Sequence, residues 1–267
     1  MNPPAAFSRA APRAAPAAGA VFGGIWRLTA RRLLSPRHLL NVAGLLALLA
    51  VLAFAATTRS GDADRLAAWA AGFHACFLVP VLAFVSAGGA MRDDLRADAV
   101  DYVFTRPVRR PVYLLFRYLA HTACAQLEFL PALGVLAGVA AWRGDAGFAA
   151  ALPLLLLAQF LAIVVYGAFG LLCGLLTSRF VIVGLIYGAA IEVGLGSVPT
   201  QLGWLSLVRH LRGLLDPLLL RAGENAPGHL GAAATIALLL AAAAALLAVA
   251  AALFSRREFA GSAAREA

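Results

Sequence analysis

Four polar residues recur at a helical interval inside an apolar stretch: Arg117, His121, Cys124 and Glu128, spaced four, three and four apart. That spacing sets them in one stripe along a helix. Ionisable groups at membrane depth are costly and normally face protein or a water-filled cavity. A guanidinium, an imidazole, a thiol and a carboxyl in one line suit two tasks. They could relay protons or line a substrate pathway, or they could bond neighbouring helices together. Glu192, inside another apolar stretch, poses the same choice, and Gln159 and Tyr166, seven apart, share a helix face.

Other chemistries are excluded by residue type. All 22 basic residues are Arg. Without Lys the chain can form neither a standard Walker A phosphate loop nor a Schiff base. The five His residues, His38, His74, His121, His210 and His229, show no metal-ligand spacing and no clustered carboxylates. Cys76, Cys124 and Cys173 fall singly inside apolar runs, which suits core packing. Ser197 follows Gly196, but no Gly-x-Ser-x-Gly turn surrounds it, and no nucleophile, base and orienting group converge. An enzyme is therefore not expected, and neither a cofactor nor a metal is expected on this chain.

The elements that must position these residues are helices in a bilayer. Of 267 residues 62% are hydrophobic and 13% charged, about half the charge of a soluble domain. The pattern predicts an all-α polytopic membrane protein. After a tail over 1–21, an amphipathic interfacial helix is expected over 22–35, with Trp26 at headgroup level and Arg27, Arg31 and Arg32 facing anionic lipid. Six spans follow, near 39–56, 66–90, 112–140, 148–176, 180–194 and 230–254, with a long connection over 196–230 and a tail over 257–267. No cleavable leader is expected. With both termini on the cytoplasmic side, 16 Arg lie inside and six outside, as the positive-inside rule requires. The same rule accounts for the net charge of +9 without nucleic acid. Gly167, Gly170 and Gly174 would allow close helix packing, within the chain or with a second subunit.

Between the second and third spans runs the densest internal charge cluster, Met91 to Tyr118. Leu95, Val100, Val103 and Phe104 alternate with Arg92, Asp93, Arg96, Asp98 and Asp101 at the spacing of a short amphipathic helix that Pro107 stops. Such charge must sit in water.

The stretch from Asp94 to Arg117 resembles the first cytoplasmic loop of type-2 ATP-binding-cassette (ABC) permeases, the membrane subunits of many bacterial exporters. The matching residues are Asp94, Tyr102, Thr105, Arg106, Pro107, Arg110, Tyr113 and Arg117. Asp98 and Ala99 stand where that family usually has Gly-Thr, and Arg117 stands where Lys is common. The stretch Ile191-Glu192, with Pro199, Leu205-Ser206 and Arg209 to Leu214, is similar to the end of the fifth span and the following connection in some members. The likeness covers nearly all of the chain after about Val21. It implies a permease subunit of the bacterial inner membrane, paired with a second permease chain as a homodimer or heterodimer. It further implies two copies of a separate ABC ATPase, which would hold ATP and Mg. The loop would be a coupling helix: Asp94, Arg96, Asp98, Asp101 and Arg106 would touch the ATPase, while Pro107 and Arg110 would fix the helix against the third span. Two alternatives stay open. One is a proton- or ion-coupled secondary transporter using His121, Glu128 and Glu192. The other is a non-transporting membrane scaffold.

Overall fold

The computed structural model describes residues 18–57, 64–96, 109–145, 147–194, 201–219 and 231–256. Asp98, Asp101, Arg106 and Pro107, with Tyr102 and Thr105, lie outside the described residues. The described residues are helical, with no strand among them. Helix α1 is Ala18–Leu33 and α2 is Pro36–Thr57. Helix α3 (64–94) is α-helical at both ends and π-helical over Ala70–Leu78. Helix α4 is Arg110–Arg143, α5 is Phe148–Leu176 and α6 is Phe180–Gly194, whose last turns are π-helical. A 3-10 turn, Gln201–Leu205, leads into α7, Leu207–Leu219, and α8 is Ala232–Arg256.

Five helices, α2, α3, α4, α5 and α8, are long and apolar enough to cross a membrane. Six spans were expected, and the difference is α6. Its 15 residues rise about 22 Å, against about 30 Å of hydrocarbon. The long connection expected after it holds α7. Leu211, Leu214, Leu215 and Leu218 recur at helical spacing and bury one face of α7 against the π-helical part of α3 and against α5 and α8.

Helix ends follow local chemistry. Ser35 Oγ accepts from the His38 amide at 3.4 Å and caps α2. Asp145 Oδ1 accepts from the Phe148 amide at 3.1 Å and caps α5. Gly144, at φ 72°, takes the left-handed turn that ends α4, where a side chain would be strained. Next to it Arg143 donates to the Phe54 carbonyl at 3.2 Å and lies 4.1 Å over the Phe54 ring, tying α4 to the end of α2.

The centre of the bundle is the contact of α3 with α5. A Cβ on Gly174 would lie 2.5 Å from the Gly88 carbonyl oxygen, and one on Gly170 would strike the Phe84 backbone. The small-residue stripe is thus used inside the chain at Gly170 and Gly174, whereas Gly167 meets only Tyr118 at 3.8 Å. Phe84 fills the space beside this contact against Phe169 and Phe180. Peripheral α2 leaves Leu40, Leu48 and Val51 exposed, the apolar surface that a lipid-facing helix presents. Helix α1 lays Ile25 and Thr29 on α4, with Phe22 edge-on to Phe116 at 5.5 Å.

Candidate functional site: a charged cavity and its clamp

Asp94 ends α3 and Arg117 lies seven residues, about 10 Å, into α4. Between them the chain makes the charged loop. Arg117 Nε donates to Asp94 Oδ2 at 2.6 Å, Nη1 to Thr29 Oγ1 at 2.7 Å and Nη2 to the Ala90 carbonyl at 3.4 Å. Tyr113 Oη donates to the same Asp94 oxygen at 2.9 Å. Arg32 stands 3.9 Å from Asp94 and 3.5 Å from Asp93. Asp94 and Arg117 are 5% and 2% exposed, so this is a buried, charge-assisted knot that fastens α1, α3 and α4 together.

The sequence assigns these two residues to different sets, Asp94 to the loop and Arg117 to the intramembrane stripe; the structure pairs them. The Asp94 carboxylate faces Arg117, Tyr113 and Arg32 within the chain. Arg96 is exposed just past the end of α3, and Arg110 is half-buried in the first turn of α4.

All four stripe residues, Arg117, His121, Cys124 and Glu128, line one cavity of about 270 Å³. Thr29 and Arg32 of α1, His38 of α2, and Ser86 and Asp93 of α3 form the facing walls. His121 Nε2 is 3.3 Å from Ser86 Oγ. His38 Nε2 is 3.1 Å from Glu128 Oε1, at ion-pair distance but out of line for a hydrogen bond. The cavity is polar because each helix around it turns a titratable or hydroxyl group inwards.

Glu192 is not in that cavity. Its carboxylate accepts from Tyr166 Oη and Ser206 Oγ, both at 2.5 Å, and from the amides of Leu207 and Val208 at 3.2 and 3.0 Å. Ser206 Oγ in turn accepts from the Arg209 amide at 3.0 Å. Glu192 and Ser206 together satisfy the open amides of the first turn of α7, and the carboxylate complements the positive end of that helix. Tyr166 lies ten residues, about 15 Å, from the end of α5, so this half-helix begins deep within the bundle. A broken helix is tolerated there because its end is bonded by protein.

One pairing could not be read from the sequence, although Gln159 stood out as a polar residue in an apolar run. His74 and Gln159 are each 0% exposed and meet at 3.0 Å, Nε2 to Oε1. His74 Nδ1 and Gln159 Nε2 have no partner among the described residues. The π-helical register of 70–78 presents His74 to α5, and such a register leaves no mark in a list of residue types. The cap of α7 could have been found: Ser206 precedes the Leu periodicity, and Glu192 is a carboxylate in need of donors.

No group of three or more metal-ligating side chains occurs among the described residues, and Cys76, Cys124 and Cys173 are buried and unbridged. Fold and sites define a polytopic helical membrane protein with a charged cavity, clamped beside a charged loop. No protein-family model matches the chain, and no curated protein matches it either.

Proposed function

We propose that this chain is the membrane-spanning permease subunit of an exporter-type ABC transporter of the bacterial inner membrane, with both termini cytoplasmic. In this reading a second permease chain completes the transport path. Two copies of a separate ATPase bind ATP and Mg and press on the loop between α3 and α4. The observation that carries the reading is the position of the Asp94–Arg117 pair. It joins the two helices that the loop connects and, through Thr29, adds α1. A push on the loop would therefore move three helices as one body. The resemblance around Thr105-Arg106-Pro107 supplies the identity of the pushing partner. Arg96, Asp98, Asp101 and Arg106 make the contact, with Pro107 and Arg110 stiffening the turn, while Asp94 keeps the loop's base on Arg117.

The test is purification of the tagged protein from its native membrane in mild detergent. A soluble ATPase is expected in equal number, and Asp98→Ala/Arg106→Ala should release it while the permease stays folded. Absence of an ATPase after mild crosslinking would refute the reading.

A second reading, a proton-coupled secondary transporter, is favoured by the meeting of His38, His121 and Glu128 in one cavity. It requires proton-linked flux by the purified chain in liposomes without ATP, and that flux should vanish in Glu128→Gln.

A further inference from the structure

We propose that the cavity between α1, α2, α3 and α4 binds a small organic cation, an alkylammonium bearing at least one N–H bond, with Glu128 as its counter-ion. The charges around the cavity fall into two groups. At one end Arg117 meets Asp94 at 2.6 Å, and Arg32 stands 3.5 Å from Asp93 and 3.9 Å from Asp94. Two guanidinium groups face two carboxylates there, so that end is neutral. Glu128 lies eleven residues, about 16 Å, further along α4 from Arg117. With the His38 and His121 imidazoles neutral, its carboxylate is the one formal charge of the described lining without a partner of opposite sign.

The surroundings of Glu128 do little to satisfy it. His38 Nε2 lies 3.1 Å from Oε1 but out of line for a hydrogen bond. Glu128 also borders an apolar crevice of Val42, Leu45, Leu46, Leu78 and Phe129, whose side chains carry no donor. Cys124, one turn back along α4, is a weak donor at best. A carboxylate withdrawn from water without donors is costly, and an ammonium supplies both the opposite charge and the missing N–H groups. The ammonium must carry such bonds: quaternary ammonium is recognised by aromatic faces, and no Phe, Tyr or Trp is among the described residues that line the cavity. Ala125 of α4 and Gly89 and Ala90 of α3 give the same cavity a small, apolar wall for the carbon body of the ligand. A cavity of about 150 Å³ already takes benzene. This one, at about 270 Å³, has room for a body of six carbons.

Binding of hexylamine is measured by equilibrium dialysis against the full chain in phosphatidylcholine nanodiscs, with empty nanodiscs subtracted. The pH is held at about 8, where an ordinary imidazole is neutral and a primary amine is charged. The neutral probe of the same length is 1-hexanol, and hexyltrimethylammonium is the cation without N–H. Hexylamine is expected to bind about tenfold more tightly than either, the effect of one charge-assisted contact. Glu128→Gln, close to the parent in shape, should remove that advantage and leave hexanol binding unchanged, which shows that the cavity is intact. His38→Gln should keep the advantage, because the imidazole is not the counter-ion. Equal binding of hexylamine and hexanol by the parent chain would overturn the proposal. So would hexyltrimethylammonium binding as tightly as hexylamine, an advantage that survives Glu128→Gln, or its loss in His38→Gln. The measurement involves neither ATP nor flux, so its outcome is separate from that of the permease reading.

Discussion

Arg117 Nε and Asp94 Oδ2, 2.6 Å apart across the base of the charged loop, are the shortest ion pair described in the molecule and among its most buried charges. Removing one partner strands the other in a low-dielectric setting, which costs about 3–5 kcal/mol. Arg117→Met and Asp94→Leu should each lower stability by an amount of that order, read as a fall in the thermal unfolding midpoint in detergent. The double variant should recover a large part of the loss, because neither charge is then left alone. Full recovery is not expected: Tyr113 loses its acceptor and Arg32 one of its carboxylates. Additive losses in the double variant would show that the two residues act separately.

Glu192 ties the start of α7 to α5 and α6 by four hydrogen bonds, two of them from backbone amides. Glu192→Ala removes all four acceptor contacts at once. Loss of the buried bonds should destabilise α7 by about 1–3 kcal/mol. Hydrogen exchange followed by mass spectrometry should show the amides of residues 207–210 exchanging faster, while those of α5 away from Tyr166 stay protected. Unchanged protection over 207–210 would remove Glu192 from the cap.

Three glycines of one helix should respond differently to the same added methyl group. Gly170→Ala and Gly174→Ala drive a Cβ into the backbone of α3, at Phe84 and at Gly88, where no flexible side chain can yield. Overpacking of this kind costs about 1–3 kcal/mol, and separation of the two backbones raises it. Gly167→Ala meets Tyr118 at ordinary contact distance, 3.8 Å, and should be neutral or slightly stabilising through helix propensity. Unfolding midpoints of the three variants check the order.

Much of this architecture was legible in residue types. Burial of a helix in lipid demands long apolar runs, so the five spanning helices and the stripe of α4 could be read directly from the sequence. The stripe's convergence on one cavity follows from the same rule, since Arg117, His121 and Glu128 need polar company. What could not be read were relations between distant residues. Asp94 sits in a loop-like charge run, and only packing of α3 on α4 sets it beside Arg117. The apolar run over 180–194 has the composition of a span. Its shortness matters only once Glu192 is seen to terminate it on α7. Helix α7 was hidden by Gly and Pro in the surrounding connection, although its Leu periodicity was present. The π-helical turn at His74 depends on one extra residue per turn, which composition does not encode.

His74 and Gln159 provide the sharpest test of a polar contact in the core. Their single mutual bond of 3.0 Å leaves one nitrogen on each without a partner among the described residues. A buried polar group without a partner costs about 1–3 kcal/mol, whereas replacing both members by apolar groups of similar shape can be neutral or stabilising. Gln159→Leu alone deprives the imidazole of its one partner among the described residues and should lower stability by about 1–3 kcal/mol. His74→Leu/Gln159→Leu removes the polar side-chain atoms of the pair and should match or exceed the parent in thermal midpoint. Under the permease reading proposed above, loss of transport in a double variant that is equally stable would give the pair a part in the transport path. Retained transport would leave it a packing contact set by the π-helical register of α3.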